Sequence, residues 1–284
     1  MAGSTTTTLN DLLPAITAEA MFVASERSIM RGLVKNYSIP AGQGKTITVP
    51  RYPIQSAAAV TEGDEVTNTA VSTDGVTLTV STVGIRTLLT DLARTSAASN
   101  VVADLGKLFG EAIARKIDQD LTALFSGFSN VYGNVSAASS AITAADIFKA
   151  VALLRSGGVP PTDLVCVLNP MIAYDLKKDL TNTYQNPNAG VVQNEAMASG
   201  YVGMLAGVPI YETSNVLNNG TTGDYVGAVF HREALGLAMI GDINIESQRR
   251  ASYIGDDIVA SAHYAAGELY DGYGVALGFD SSIQ

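Results

Sequence analysis

Residues 46–90 form one long strand-like stretch, rich in Thr, Val and Ala, that runs directly into a single long helical repeat. Ile47 and Val49 alternate with Thr46 and Thr48, and Val76, Leu78 and Val80 alternate with Thr77, Thr79 and Ser81. A period of two gives each strand one apolar and one polar face. The apolar phase then slips, because Val80 is followed by Val83 and Ile85, and an odd offset of this kind implies a bulge or a twist. Thirteen Val, Ile or Leu residues stand between Thr46 and Asp91. Ordering backbone costs about 1–2 kcal/mol per residue, which so thin an apolar face does not offset alone. A two-stranded ribbon is also marginal by itself in water. The stretch therefore needs a partner, either the rest of this chain, as in an ordinary globular sheet, or another copy of it.

With 284 residues the chain has enough core for one large domain or two modest ones. Hydrophobic residues make up 47% and charged residues only 15%, which excludes a disordered chain and points to surface hidden in contacts beyond the monomer. The formal net charge of −10 argues against nucleic-acid binding through a broad basic face. Cys166 is alone in the apolar run DLVCVL, so it reads as a small buried hydrophobe, and no disulfide framework exists. The N-terminus MAGSTTTTLNDLLP lacks a positive leader region, and no apolar run approaches the ~20 residues of a membrane span. No membrane partner and a cytoplasmic site of synthesis are the expectations.

Along the chain, residues 1–8 read as a Thr-rich tail, followed by a helix from near Pro14 to about Arg31 and a linker over 32–45. After the strand-like stretch, Val102, Leu105, Phe109, Ile113, Ile117, Leu121, Leu124 and Phe128 repeat at three- and four-residue steps. They predict one helix over 98–125 with a continuous apolar stripe. Gly106 and Gly110 each cost about 1 kcal/mol inside a helix and mark a place where another backbone packs closely. Thr143 to Asp146 opens a capped helix ending near Ser156, and 164–168 is a buried strand. Asn169 and Pro170 start a helix to about Leu180, and 181–200 form a long polar loop. Further strands are expected over 208–211, 225–230, 234–240 and 243–249, with two more on either side of 267–272.

Catalytic chemistry finds no foothold. Ala41 to Thr46 imitates the tail of a phosphate-binding loop, but Ile39 replaces its first glycine and a strand follows in place of a helix. His231 and His263 are not spaced as a metal pair, and no serine sits in a Gly-x-Ser-x-Gly elbow. Asp256 and Asp257 point to opposite sides of a strand and make no dyad. Arg249 and Arg250 suit either a phosphate or partner carboxylate, or a solvated strand end. Tyr264, Tyr270 and Tyr273 fit interface or core packing. No catalytic, cofactor-binding or metal-ligating residue is assigned, so the chain is read as a non-enzyme.

The order of elements resembles that of the major capsid proteins of tailed double-stranded-DNA bacteriophages, whose fold also occurs in encapsulin compartments and the herpesvirus capsid floor. The phrases that carry the resemblance are FGEAIARKIDQDLTALFSG, LVCVLNPMIAYDLKKDL, LAGVPIYETSNV and AVFHREALGLAMIGDINIESQRR, in that order after the strand-like stretch. The resemblance implies an α+β fold with an N-terminal arm (1–45), an extended β-hairpin E-loop (46–90) and a P domain with its spine helix (91–140 and 232–260). An A domain would cover 141–231 and 261–284. It also implies self-assembly as hexamers and pentamers into an icosahedral virion capsid around double-stranded DNA, bound without sequence specificity, with assembly in the host cytoplasm. An encapsulin-like shell around an enzyme cargo is the alternative. Expected partners are other copies of the chain, a separate scaffolding protein, a portal and cement proteins. The inter-subunit contacts expected in the E-loop are Arg51, Tyr52, Glu62, Asp64 and Glu65; Glu62, Asp64 and Glu65 lie in a turn that suits either solvent or a neighbour's basic side chain. Some relatives crosslink a Lys to an Asn, and no such pair can be matched here.

Overall fold

The computed structural model describes residues 28–40, 42–52, 57, 59–63, 65–66, 71, 73–96, 101–135, 140–183, 203–216, 218 and 224–283, the side chains of 101–103 and 181–183 excepted. The expected helix from Pro14, most of the polar loop over 181–200 and Asp64 lie outside these residues.

The elements run α1 (Ile29–Leu33), β1 (Lys35–Ser38), β2 (Thr46–Arg51), β3 (Asp74–Thr79), β4 (Ser81–Thr90), α2 (Asp91–Ser96) and α3 (Val101–Ala123). A tight 3-10 turn, Leu124–Gly127, closes α3. Then come β5 (Val131–Gly133), α4 (Ala144–Ser156), β6 (Leu164–Leu168), α5 (Pro170–Thr183), β7 (Met204–Leu205) and β8 (Val208–Glu212). The chain ends with β9 (Asp224–His231), β10 (Leu235–Met239), β11 (Asn244–Arg250), β12 (Gly255–Glu268) and β13 (Gly274–Asp280).

The 14-residue strand β12 organises one sheet. On one edge it pairs antiparallel with β4 over its residues 255–264, and on the other with β11 and then β10. Strand β1 adds itself parallel to β10. The apolar stripe of α3 covers one face: Phe109, Ile113, Ile117 and Leu121 are buried against Leu235, Leu237, Ile258, Ala260 and Ala262. A second sheet has the order β5-β13-β9-β6-β8-β7. Alternation divides its faces as a period of two demands. Val165, Val167, Ala228 and Phe230 face the α3 side, whereas Cys166, Leu168 and Val229 face α4 and α5. Phe125 and Phe230 meet there with ring centres 5.5 Å apart.

Local chemistry accounts for the helix starts. The Thr143 amide and hydroxyl both donate to the Asp146 carboxylate, at 2.9 and 2.8 Å, closing the N-terminus of α4. The Asn169 side chain accepts the Met171 amide at 3.0 Å ahead of α5 and donates to the Val216 carbonyl at 2.9 Å. Such caps satisfy amides that a helix leaves unpaired.

Three readings need correction. Residues 32–45 are not all linker: β1 lies within them, too short to show a period of its own and fixed by its parallel ladder to β10. The apolar slip after Val80 is not a bulge inside one ribbon. There the chain changes partner, since β3 pairs with β2 while β4 pairs with β12. Boundaries at 90 and 260 also cut across the five-stranded sheet, because β4 hydrogen-bonds along β12 and β12 runs unbroken through Ala260.

Gly274 begins β13 where the Phe128 ring lies; a Cβ on it would sit 2.3 Å from Phe128 Cζ. Gly274→Ala is therefore expected to lower the stability of the unassembled subunit by about 1–3 kcal/mol, read from its chemical-denaturation midpoint. Adding Phe128→Leu should recover part of the loss, and an additive pair would show that the close approach is not the cause.

Candidate assembly interface

The finger formed by β2, β3 and the residues between them divides into a root held by its own chain and a tip whose described residues are exposed. At the root, β2 and β3 pair from Thr46↔Thr79 to Arg51↔Asp74. Leu78 is buried with Ala238, Ala265 and Leu269, and Ile47, Val49, Val76 and Val80 pack against that cluster. Gly267 leaves the room for it: a Cβ there would come within 2.3 Å of Leu78 Cδ2. Arg51 closes the root. It donates to Asp74 at 3.0 Å, reaches the Leu269 carbonyl at 3.5 Å and lies 5.8 Å over the Tyr270 ring, which stacks on Tyr273. Burial, and then the charge of Asp271, push the Glu268 carboxyl up; Arg51 opposes that shift. Arg51, expected to touch a neighbour, is thus engaged within its own chain.

Past Arg51 the picture reverses. Tyr52 is 63% exposed, and Val60, Val66 and Val71 are also exposed. Glu62 and Glu65 are exposed beside them. Gly106 and Gly110 lie buried in α3, in the stretch that carries Leu105 and Phe109.

The opposite end of β12 carries a cluster not read from the sequence. In the turn between β11 and β12, Arg249 stands across from Asp256 and Arg250 from Gly255. Arg249 grips Asp91 of α2 through two nitrogens, at 2.6 and 2.8 Å, and reaches Asp256 at 3.5 Å. Asp257 is nearly buried and takes Arg250 at 2.6 Å and Arg86 of β4 at 2.9 Å. Arg94 sits more loosely, 3.6 Å from Asp256 and 3.7 Å from Asp91. Asp256 and Asp257 do point apart, each to its own arginines. The carboxylates that Arg249 and Arg250 meet belong to the same chain, and a tight RR-turn-DD hairpin was the available signal. The hydrogen bond from Arg249 chiefly holds the Asp91 carboxyl below its usual range, opposed by desolvation and helped by the charges of Arg249 and Arg94.

A second buried carboxylate, Asp118 of α3, ties the segment before β1 to the helix. It accepts the Ser28 hydroxyl at 2.7 Å, the Ile29 and Met30 amides at 3.2 and 3.3 Å, and the Asn215 side chain at 3.2 Å. Burial outweighs these bonds and pushes its carboxyl up. The histidines are absorbed structurally: His231 Nδ1 accepts the Glu233 amide at 3.2 Å, and His263 Nδ1 pairs with Thr82 Oγ1 at 2.9 Å. Tyr264 stands apart from Tyr270 and Tyr273 and donates to Asp120 at 2.7 Å. Cys166 is fully buried, which pushes its thiol up. Among the described residues no three His, Cys, Asp or Glu side chains converge as a metal site, and no helix is long and apolar enough to cross a membrane.

Comparison with known proteins places this architecture. The family described as phage capsid protein matches residues 56–277. No curated protein matches the sequence. Among solved structures, the capsid of cyanophage P-SCSP1u is 20% identical, with a TM-score of 0.70 over 90% of this chain and 89% of that one. Mycobacterium phage Che8 gives 20% identity and a TM-score of 0.70 over 88% and 90%. A virus-like particle from Pyrococcus furiosus gives 9% identity and a TM-score of 0.63 over 93% and 98%. The chain thus has the mixed helix-and-sheet fold of tailed-phage major capsid proteins.

A carboxylate whose folded pKa is depressed contributes stability above its ordinary value and loses it as pH falls through the folded value. Asp91→Asn should therefore lower the melting temperature at neutral pH by a gap that is constant down to about pH 4 and closes below it. A gap that stays constant into strong acid would show that the charge of Asp91 contributes nothing.

Proposed function

Because this chain belongs to the phage capsid protein family, and so is a subunit of a phage shell, we propose that it assembles as hexamers and pentamers into an icosahedral capsid around double-stranded DNA. The finger tip lies across an adjacent copy in that assembly. The observation that carries this reading is the contrast within the finger: its root is satisfied by Leu78 and Arg51, while Val60, Val66 and Val71 stand exposed at its tip. Monomeric proteins rarely expose apolar groups together unless a partner covers them. Tyr52, Glu62, Asp64 and Glu65 supply the inter-subunit contact, and Arg51 fixes the angle at which the finger leaves the body. Gly106 and Gly110, buried in α3, allow close packing around the helix.

The shell is a structural, non-enzymatic assembly that works through a separate scaffolding protein, a portal and cement proteins in the host cytoplasm. The match to a phage capsid family over 56–277 favours a genome container over an enzyme-cargo compartment. A net charge of −10 suits a wall that does not hold its contents by charge.

Deleting residues 55–72 should leave a soluble subunit that no longer closes shells, seen by electron microscopy and sedimentation. Normal particles from that deletion would refute the role of the finger. Purified empty shells opened at low salt should also fail to retain duplex DNA; retention that disappears with added salt would mean the inner wall is basic.

A further inference from the structure

Residues 269–273 turn the chain from β12 into β13, and the finger root is fastened to them. The Leu269 carbonyl accepts Arg51 at 3.5 Å, the Leu269 side chain packs with Leu78, and the Arg51 guanidinium lies 5.8 Å over the Tyr270 ring. From its other side the turn is tied to the body. The Ala234 carbonyl accepts the Leu269 and Tyr270 amides at 2.7 and 3.2 Å. Tyr270 stacks on Tyr273 with ring centres 5.0 Å apart, and Tyr273 meets the His231 ring edge-on at 5.6 Å. The body holds the finger only as firmly as this turn keeps its shape.

Two carboxyl groups straddle the turn. Glu268 is the last residue of β12, Asp271 follows three positions later, and their side chains hydrogen-bond to each other. An ionised carboxylate only accepts, so the bond exists only when one of the two carries a proton. The surroundings decide which one. Burial works against the charge of Asp271, but the Ser129 hydroxyl and amide, the Glu268 carboxyl and Arg51 outweigh it and hold Asp271 below its usual range. The Ser129 amide donates to it at 2.7 Å. For Glu268 the balance is reversed: burial first, then the charge and the hydrogen bond of Asp271, push it up against Arg51. Two carboxyls driven apart in this way take different roles, Glu268 as donor and Asp271 as acceptor.

Solvent reaches the pair. Glu268 lines an open cleft of about 360 Å³ with Thr77, Thr79, Ser81, Asp120 and Tyr264. Among the described residues the other ionisable groups around it are Arg51 of β2, held by Asp74 of β3, and Asp120 of α3, paired with Lys116 and with the Tyr264 hydroxyl. Tyr270, Tyr273 and His231 complete the set through the ring stack. Arg51 acts on both carboxyls, so the residue that fastens the finger also senses the charge of the pair.

We propose that Glu268 and Asp271 are a proton-operated clasp on the finger root: sharing one proton they close across the turn and hold it against Arg51, and without that proton they part and the root loosens. The clasp acts within one subunit, so it holds or fails independently of what the finger tip touches. Its pH dependence has two limbs. Glu268, raised in the closed state, favours closure as pH falls through that raised value, and the gain is complete near the ordinary Glu value of about 4.3. Asp271, depressed in the closed state, favours closure above the ordinary Asp value of about 3.9, and its contribution is lost as pH falls through the depressed value. The root is therefore tightest in the ordinary carboxylate range and loosens toward neutral pH.

Nitroxide labels on Tyr52→Cys, at the base of the finger tip, and Leu108→Cys, on α3, read this in the unassembled full-length subunit. Both positions are exposed, and Cys166 is buried and does not react. The distance distribution between the labels is expected to be narrow at about pH 5 and to broaden at about pH 8, on either side of the raised Glu268. Glu268→Gln, whose amide donates to Asp271 without titrating, should stay narrow at both values, and Glu268→Ala should be broad at both. Equal widths at the two pH values in the labelled parent overturn the clasp. A Glu268→Gln subunit that still broadens also overturns it, because Asp120 or His231 would then be the group that titrates. Gln and Ala variants of equal width would reduce Glu268 to a packing role and overturn it as well.

Discussion

The hydrogen-bonding of β12 is the constraint from which the rest of the architecture follows. Fourteen residues in a row are paired, 255–264 with β4 on one edge and 255–261 and 264–268 with β11 and β10 on the other, by segments brought from far apart in the chain. A strand so fully occupied cannot bend or shift register without moving its even-numbered side chains, Ile258, Ala260 and Ala262, off the α3 stripe. It therefore behaves as a stiff bar. The finger root is fastened near one end through Leu78 and Gly267, and the charged corner sits at the other. Spacing between these ends is set by strand geometry, which gives a shell subunit a fixed reach.

The two ends are stabilised differently. At the finger root a small apolar cluster and one arginine suffice, because most of the ribbon there is already hydrogen-bonded across β2 and β3. At the corner, Asp257 is nearly buried, and a buried carboxylate is tolerated only where cations answer it. Arg86 and Arg250 do so from two strands flanking β12. The ion pairs thereby join β4, α2, β11 and β12 at the point where loose loops would otherwise meet. Their exposed partners add little stability individually. Their effect is geometric: they fix the β11–β12 turn against α2.

Much of the body was legible in the chain. Alternation identified β2 and β3, and the three-and-four spacing from Leu105 to Leu121 identified α3, because both patterns record burial on one face; β6 was legible as a short continuous apolar run, buried on both faces. The caps at Thr143 and Asn169 were readable because their chemistry is complete within a few residues. Other features left weaker traces. Four residues of β1 are too few for a period, and their strand character comes from β10, about 200 residues later in the sequence. The phase slip at Val80 was visible, but a slip is the same in sequence whether the strand bulges or changes sheet. Arg249 and Arg250 were noticed without their partners, because Asp91 and Arg86 approach only through the fold. Asp118 stands one turn after Ala114 on a buried face, and nothing local says that Ser28 and Asn215 will satisfy it.

By itself the sequence determined the segments: which stretches are strands, where the long helix runs, that the finger is too thin to stand unaided, and that catalytic groups do not cluster. These follow from local propensity and periodic burial, which act over a few residues. Tertiary structure alone decided which strands become neighbours, that the finger root is satisfied by its own chain, and that its tip and the arginine-rimmed corner lie at opposite ends of β12. Those outcomes depend on pairing between residues such as Ser81 and Tyr264, or Leu78 and Gly267, whose separation along the chain exceeds 180 positions. At that range side-chain pattern carries no information about partners, and only the hydrogen-bonded register sets it.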